Sequence, residues 1–174
     1  MALDTFVVLA NQYDAEADAL ADYDAVRKLY TDLGIIETYD AAVLTRTPDG
    51  KVKIVKRVEE PTRQGGAIGL IAGLAIGLAV ALFPAISLGA GLLGGGAIGA
   101  GIGALAGHVA GGMKRSDLKD LGELLDNGKS GLLVVAATDV EAKVDAAITR
   151  AKKRAKARLQ ADTDALKKEI DHAA

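Results

Sequence analysis

Residues 65–112 read GGAIGLIAGLAIGLAVALFPAISLGAGLLGGGAIGAGIGALAGHVAGG, and no Asp, Glu, Lys or Arg occurs between Arg63 and Lys114. The glycines of this stretch stand in register. Gly65, Gly69, Gly73 and Gly77 recur at every fourth residue, a phase continued by Ala81, Ala85 and Gly89, and a second comb follows at Gly91, Gly95, Gly99, Gly103, Gly107 and Gly111. On an α-helix residues four apart share a face, so each comb forms a groove without side chains into which another backbone fits closely. The stretch is therefore read as an apolar helical hairpin whose ten comb glycines are the packing contacts. Its first arm, residues 65–83, would be about 28 Å long as a helix, close to the hydrocarbon thickness of roughly 30 Å. Pro84 interrupts it, and the second arm is expected from about residue 91 to 112.

Cations flank the hairpin. Lys51, Lys53, Lys56, Arg57 and Arg63 precede it, while Lys114, Arg115 and Lys119 follow. The positive-inside rule then predicts both ends, and with them both chain termini, on the cytoplasmic side of an inner membrane. Two features run against an ordinary spanning hairpin: the chain has no Trp, and the expected distal turn (Phe83, Pro84, Ala85, Ile86, Ser87) is itself apolar. A lone hairpin of this kind in water would expose far more apolar surface than a monomer tolerates. It must meet lipid, or be buried between copies in a soluble cytoplasmic assembly.

Outside the hairpin the pattern changes to that of a small α/β domain. Residues 5–10 (TFVVLA) have the length and β-branched content of a strand buried on both faces. Asn11 and Asp14 offer caps for a helix over residues 14–33, with apolar positions every three to four residues and Gly34 as its stop. Residues 35–46 and 51–58 flank Thr47-Pro48-Asp49-Gly50 and read as a β-hairpin with a basic outer face. Beyond the insertion, Ser116 is the expected cap of a helix to Asn127, Gly128 its stop, and residues 131–137 (GLLVVAA) a further apolar strand. This β-α-β-β-α-β order predicts an α+β, ferredoxin-like antiparallel sheet with helices on one face. Thr138 and Glu141 form a Thr-x-x-Glu capping box, from which a long amphipathic helix is expected to about residue 170. The predicted partition is residues 1–62 and 115–138 for the α/β domain, 63–114 for the hairpin and 139–174 for the C-terminal helix.

The chemistry-bearing patterns are sparse. Gly89-Ala-Gly91-Leu-Leu-Gly94 matches G-x-G-x-x-G but has no strand before it and no acid after it until Asp117, so it does not read as a dinucleotide loop. Gly128-Lys129-Ser130 lacks the upstream glycine of a phosphate loop. There is no cysteine, and the two histidines are His108, within the hairpin, and His172, near the end. His108 is a possible intramembrane polar site, but without an acidic partner nearby in sequence it more simply reaches interfacial water or a backbone carbonyl. No cofactor, metal site or catalytic constellation is predicted, and the chain is read as non-enzymatic. Arg150, Lys152, Lys153, Arg154, Lys156 and Arg158 make a basic cluster able to hold anionic head groups or the acidic first helix (Asp14, Glu16, Asp18, Asp22, Asp24) of a second subunit. It is not interleaved with aromatics, and the net charge is -2, so nucleic acid is not an expected partner.

Tyr13-Asp14-Ala15-Glu16-Ala17-Asp18 after a first strand, a hairpin strand around residues 42–47 and the glycine-comb hairpin together resemble a bacterial membrane-protein family of unknown function, over most of the chain up to about Ala137. The resemblance implies a cytoplasmic α/β domain carrying an apolar hairpin, and no catalytic residues. The expected function is that of a homo-oligomeric, membrane-associated scaffold, remodelling or pore protein joined through glycine zippers. The alternative is a soluble closed homo-oligomer that buries its hairpins and carries lipid or an apolar ligand.

Overall fold

The computed structural model describes residues 4–35, 39–57, 74–83, 107, 109 and 111–161. Two apolar runs set the architecture, because every residue of 6–10 and of 131–136 is buried. A strand turns alternate side chains to opposite faces, so an unbroken apolar run needs cover on both sides. These runs are the middles of β1 (Asp4–Tyr13) and β4 (Ser130–Ala137), paired antiparallel with Phe6 opposite Ala137 and Tyr13 opposite Ser130. The other edge of β4 takes β2 (Tyr39–Arg46), which carries β3 (Val52–Arg57), and the other edge of β1 takes β5 (Lys153–Ala161). The result is a five-stranded, wholly antiparallel sheet in the order β3-β2-β4-β1-β5.

Helices cover both faces, where cover on one was expected. On the first face α1 (Glu16–Leu33) and α4 (Glu141–Ala147) pack Ala19, Tyr23, Val26, Tyr30 and Val144 against Val7, Leu9, Val43, Leu132 and Val134. On the second face α2 (Leu74–Leu82) and α3 (Arg115–Glu123) bring Ala75, Leu78, Ala79 and Leu121 to Phe6, Val8, Leu44, Leu133 and Val135. The doubly apolar β1 and β4 are the physical reason: a sheet with one open face would leave Phe6, Val8, Leu133 and Val135 in water.

Several local expectations hold. Gly34 ends α1 in the left-handed region at φ 69°, its N–H turned back to the carbonyls of Thr31 and Tyr30. The β2–β3 turn closes through Thr47 N–H to Lys51 O (2.8 Å) and Gly50 N–H to Thr47 O (2.9 Å), with Gly50 at φ 88°. The caps differ. The residue before α1 is Ala15, without a side-chain cap bond, since Asn11 lies inside β1 and Asp14 pairs with Lys129 at 3.0 Å. Likewise Lys114, not Ser116, occupies the cap position of α3, which ends at Glu123 rather than Asn127.

The long C-terminal helix does not form over residues 148–161, and its expected remainder, 162–170, lies outside the described residues. Thr138–Val140 form a single 3-10 turn, α4 lasts seven residues, and the chain leaves the helix at Ile148 (φ −86°, ψ 103°) to return as β5. No capping box forms, because the Glu141 carboxylate is taken by Arg158 and Lys156. Residues 153–161, KRAKARLQA, satisfy a helical propensity scale and also a period of two: Ala157 and Leu159 are buried while Lys156, Arg158 and Gln160 are exposed. The free edge of β1 decides between these readings, since pairing there seals Leu159 into the second core and satisfies a full ladder of backbone groups.

Of the apolar insertion, residues 74–83, 107, 109 and 111–114 are described. The packing roles assigned to Gly65, Gly69, Gly73, Gly91, Gly95, Gly99 and Gly103, and the site at His108, lie outside the described residues. Gly77 is buried within α2, and Gly107 and Gly111 are exposed, with nothing within 4 Å of the position a Cβ would take. Among the described residues no helix is long and apolar enough to cross a membrane. Gly112 lies directly against the sheet. Its carbonyl accepts the Gln160 N–H at 2.9 Å, and a Cβ at this position would stand 1.9 Å from the Gln160 carbonyl oxygen.

Candidate functional site

The polar chemistry of the described residues gathers at β5 and the segment leading into it. Alternation along the strand puts Arg154, Lys156 and Arg158 on the side of α4, where Glu141 and Asp145, one helical turn apart, face them. The contacts form a ladder: Arg154 to Asp145 at 3.3 Å, Lys156 to Asp145 and to Glu141 at 3.2 Å each, and Arg158 to Glu141 at 2.7 Å. Arg154 also donates to the Ile148 carbonyl. The Arg158 hydrogen bond, followed by that of Lys156, holds the Glu141 carboxyl below its usual range, and Asp145 and Glu141 raise the Lys156 ammonium. These pairs are largely solvated, so each contributes little alone, and their main effect is to neutralise the edge strand in its register.

The remaining members of the basic cluster are placed by other elements. Lys153 reaches Asp126 after α3 at 2.8 Å, Arg150 reaches Asp18 of α1 at 3.4 Å, and the Lys152 backbone N–H donates to the Gln12 carbonyl at 2.7 Å. Asp126 is held below its ordinary range by the Lys153 hydrogen bond, as Asp14 is by Lys129. The structure thus brings the cluster together with acids of its own chain, chiefly those of α4 and only in part those of the first helix.

Beneath this exposed layer lie buried polar groups that sequence reasoning passed over. Asp22 is 1% exposed, and its Oδ2 accepts both the Tyr13 hydroxyl and the Arg150 N–H at 2.9 Å. Burial, then the Asp22 charge, pushes the Tyr13 hydroxyl far above its ordinary titration range. The carboxylate therefore clamps the end of β1, the inner face of α1 and the approach to β5. Its signal was present in the sequence, since Asp22 falls in phase with Ala19, Val26 and Tyr30 on the inward face of α1. Gln12 is 3% exposed and its Oε1 accepts the Asp126 N–H at 2.8 Å, while the Asn11 side chain donates to the Leu132 carbonyl at 3.2 Å. On the first face Tyr30 and Tyr39 stack with centroids 4.1 Å apart. On the second face Asp40, 3% exposed, accepts the Ala75 N–H at 2.9 Å.

The chemistry available to this arrangement is charge pairing and backbone capture. Among the described residues no three His, Cys, Asp or Glu side chains are grouped to hold a metal. The two histidines, at 108 and 172, lie outside the described residues.

A family model described as a protein of unknown function (DUF1269) matches residues 66–171. The match begins inside the insertion and runs through α3, β4, α4 and β5, further than the resemblance that stopped near Ala137, and it leaves out β1, the strand that pairs with both β4 and β5. No curated protein and no solved structure matches the chain. With more than half of its residues matched, the chain belongs to the DUF1269 family.

Proposed function

We propose that this DUF1269 member is a non-enzymatic, homo-oligomeric, membrane-associated scaffold, in which small α/β domains carry glycine-comb hairpins that pack against those of neighbouring copies in or at a lipid layer. The observation that carries the reading is the uncharged run between Arg63 and Lys114, with cations on both sides and comb glycines at every fourth residue. Such a run has few stable surroundings: lipid, a second copy, or the domain's own core. The flanking cations favour an arrangement with the sheet on the cytoplasmic side of an inner membrane. The strand order β5-β1-β4-β2 supports a ferredoxin-like core, with β3 an added edge strand and the hairpin inserted between β3 and β4.

A soluble closed assembly is the second reading, favoured by one observation: α2 lies against the sheet's second face, where Leu78 and Ala79 are wholly buried. One preparation separates the two. Purified without detergent and examined by electron microscopy and lipid mass spectrometry, the scaffold gives large particles with stoichiometric lipid. Large lipid-free particles that stay in the high-speed supernatant would establish the soluble assembly instead.

A further inference from the structure

Nothing in α2 is polar except its backbone. Its nine residues, LAIGLAVAL, pack Ala75, Leu78 and Ala79, with Phe83 beyond its end, onto Ala42, Leu44, Leu133 and Val135. Packing of this kind is not directional and does not distinguish the sheet from a lipid layer, because lipid tails are as apolar as leucine. A directional contact joins this packing. The Ala75 N–H, among the amides at a helix start that have no partner within the helix, donates to Asp40 Oδ2 at 2.9 Å.

Asp40 stands where the pattern of β2 calls for an apolar side chain. It is opposite Val135 in the ladder and shares the second face with Ala42 and Leu44, yet it is 3% exposed. A carboxylate in such a place is costly unless it is met by donors and positive charge, and the start of a helix supplies both. Asp40 and the start of α2 therefore support one another when the helix is docked. When the helix is away, both groups lose this hydrogen bond.

We propose that Asp40 is the latch that holds the apolar helix α2 on the sheet, and that releasing it transfers α2 to a lipid surface. The surface that receives α2 would also cover the apolar patch left behind, chiefly Ala42, Leu44, Leu133 and Val135, so that transfer does not leave this part of the second core in water. This rests on the membrane reading above and supplies its control point: the domain sheathes part of its insertion until lipid competes for it.

The test uses the full chain with Asp40→Ala and Asp40→Asn. Hydrogen exchange is followed at residues 74–83, and co-sedimentation is measured with vesicles of equal parts phosphatidylcholine and phosphatidylglycerol. Losing a hydrogen bond to a charged acceptor should speed exchange across residues 74–83 by about 10- to 100-fold in Asp40→Ala, while β1 and β4 keep their protection. The vesicle-bound fraction should rise with it, and Asp40→Asn, which keeps an uncharged acceptor, should fall between. Exchange at residues 74–83 equal to wild type in Asp40→Ala overturns the latch. If Asp40→Ala loses protection throughout the sheet, Asp40→Asn decides: faster exchange confined to residues 74–83 supports the latch, and none overturns it. Faster exchange without vesicle binding keeps the latch and removes the membrane reading.

Discussion

Replacing Gly112 with alanine should destabilise the fold, whereas the same change at Gly111 should not. A Cβ at Gly112 would lie 1.9 Å from the Gln160 carbonyl oxygen, 3.1 Å from its carbon and 3.0 Å from Leu159 Cδ1. The first contact is backbone, and Leu159 is wholly buried in the second core, so neither gives way freely. Relief requires that the segment move off β5 by more than an ångström, which also breaks the 2.9 Å bond from the Gln160 N–H to the Gly112 carbonyl. Overpacking of this kind costs about 1–3 kcal/mol and the lost hydrogen bond about 1 kcal/mol, together roughly 2–4 kcal/mol. For a domain of this size that corresponds to a fall in Tm of roughly 4–16 °C. At Gly111 a Cβ meets nothing within 4 Å, and in helical backbone alanine is favoured over glycine by up to about 1 kcal/mol. Urea unfolding of the two variants beside wild type tests the pair, with an unchanged m-value required for the comparison. Gly112→Ala as stable as Gly111→Ala would refute the close approach of the insertion to β5.

Other outcomes follow from the polar contacts and the glycine combs. Tyr13→Phe leaves the Asp22 carboxylate with one donor fewer in a buried site and should cost about 1–3 kcal/mol in urea unfolding, while Lys28→Ala, at an exposed pair on the same helix, should cost under about 1 kcal/mol. The folded-state pKa of Glu141 is depressed by Arg158 and Lys156, so its contribution is present above its ordinary value of 4.5 and is lost as pH falls below that. Glu141→Gln should therefore flatten the acid limb of stability against pH, and an unchanged limb would show that the ladder makes no net contribution. Gly99→Leu should disrupt assembly if the second comb is a helix contact, and a particle size equal to wild type by light scattering would exclude that role.

The strands and turn glycines of the first half were legible because they are local. Residues 5–10 and 131–137 carry too many consecutive β-branched and apolar side chains for anything but strands covered on both sides, while Gly34 and Gly50, at positive φ, mark the end of α1 and the β2–β3 turn. The same runs implied a second layer of helices, a consequence that a one-faced sheet ignores. The cluster from Arg150 to Arg158 was visible as a cluster, but the helix assigned to it was not the element that forms. Its composition suits either period, and only the vacant edge of β1 and the acids of α4 select the strand.

Composition and spacing by themselves determined that a small α/β domain carries an uncharged, glycine-combed insertion, because hydrophobic periodicity and turn residues act over a few positions of the chain. Tertiary structure decided the rest: that β5 closes the sheet, that Asp22 and Asp40 are buried and partnered, and that Gly112 stands where a Cβ would crowd the backbone of Gln160. Each of these depends on groups tens of residues apart meeting within 3 Å, as Gly112 meets Gln160 and Asp40 meets Ala75. No local pattern encodes such a meeting, since its free energy exists only once the chain has closed on itself.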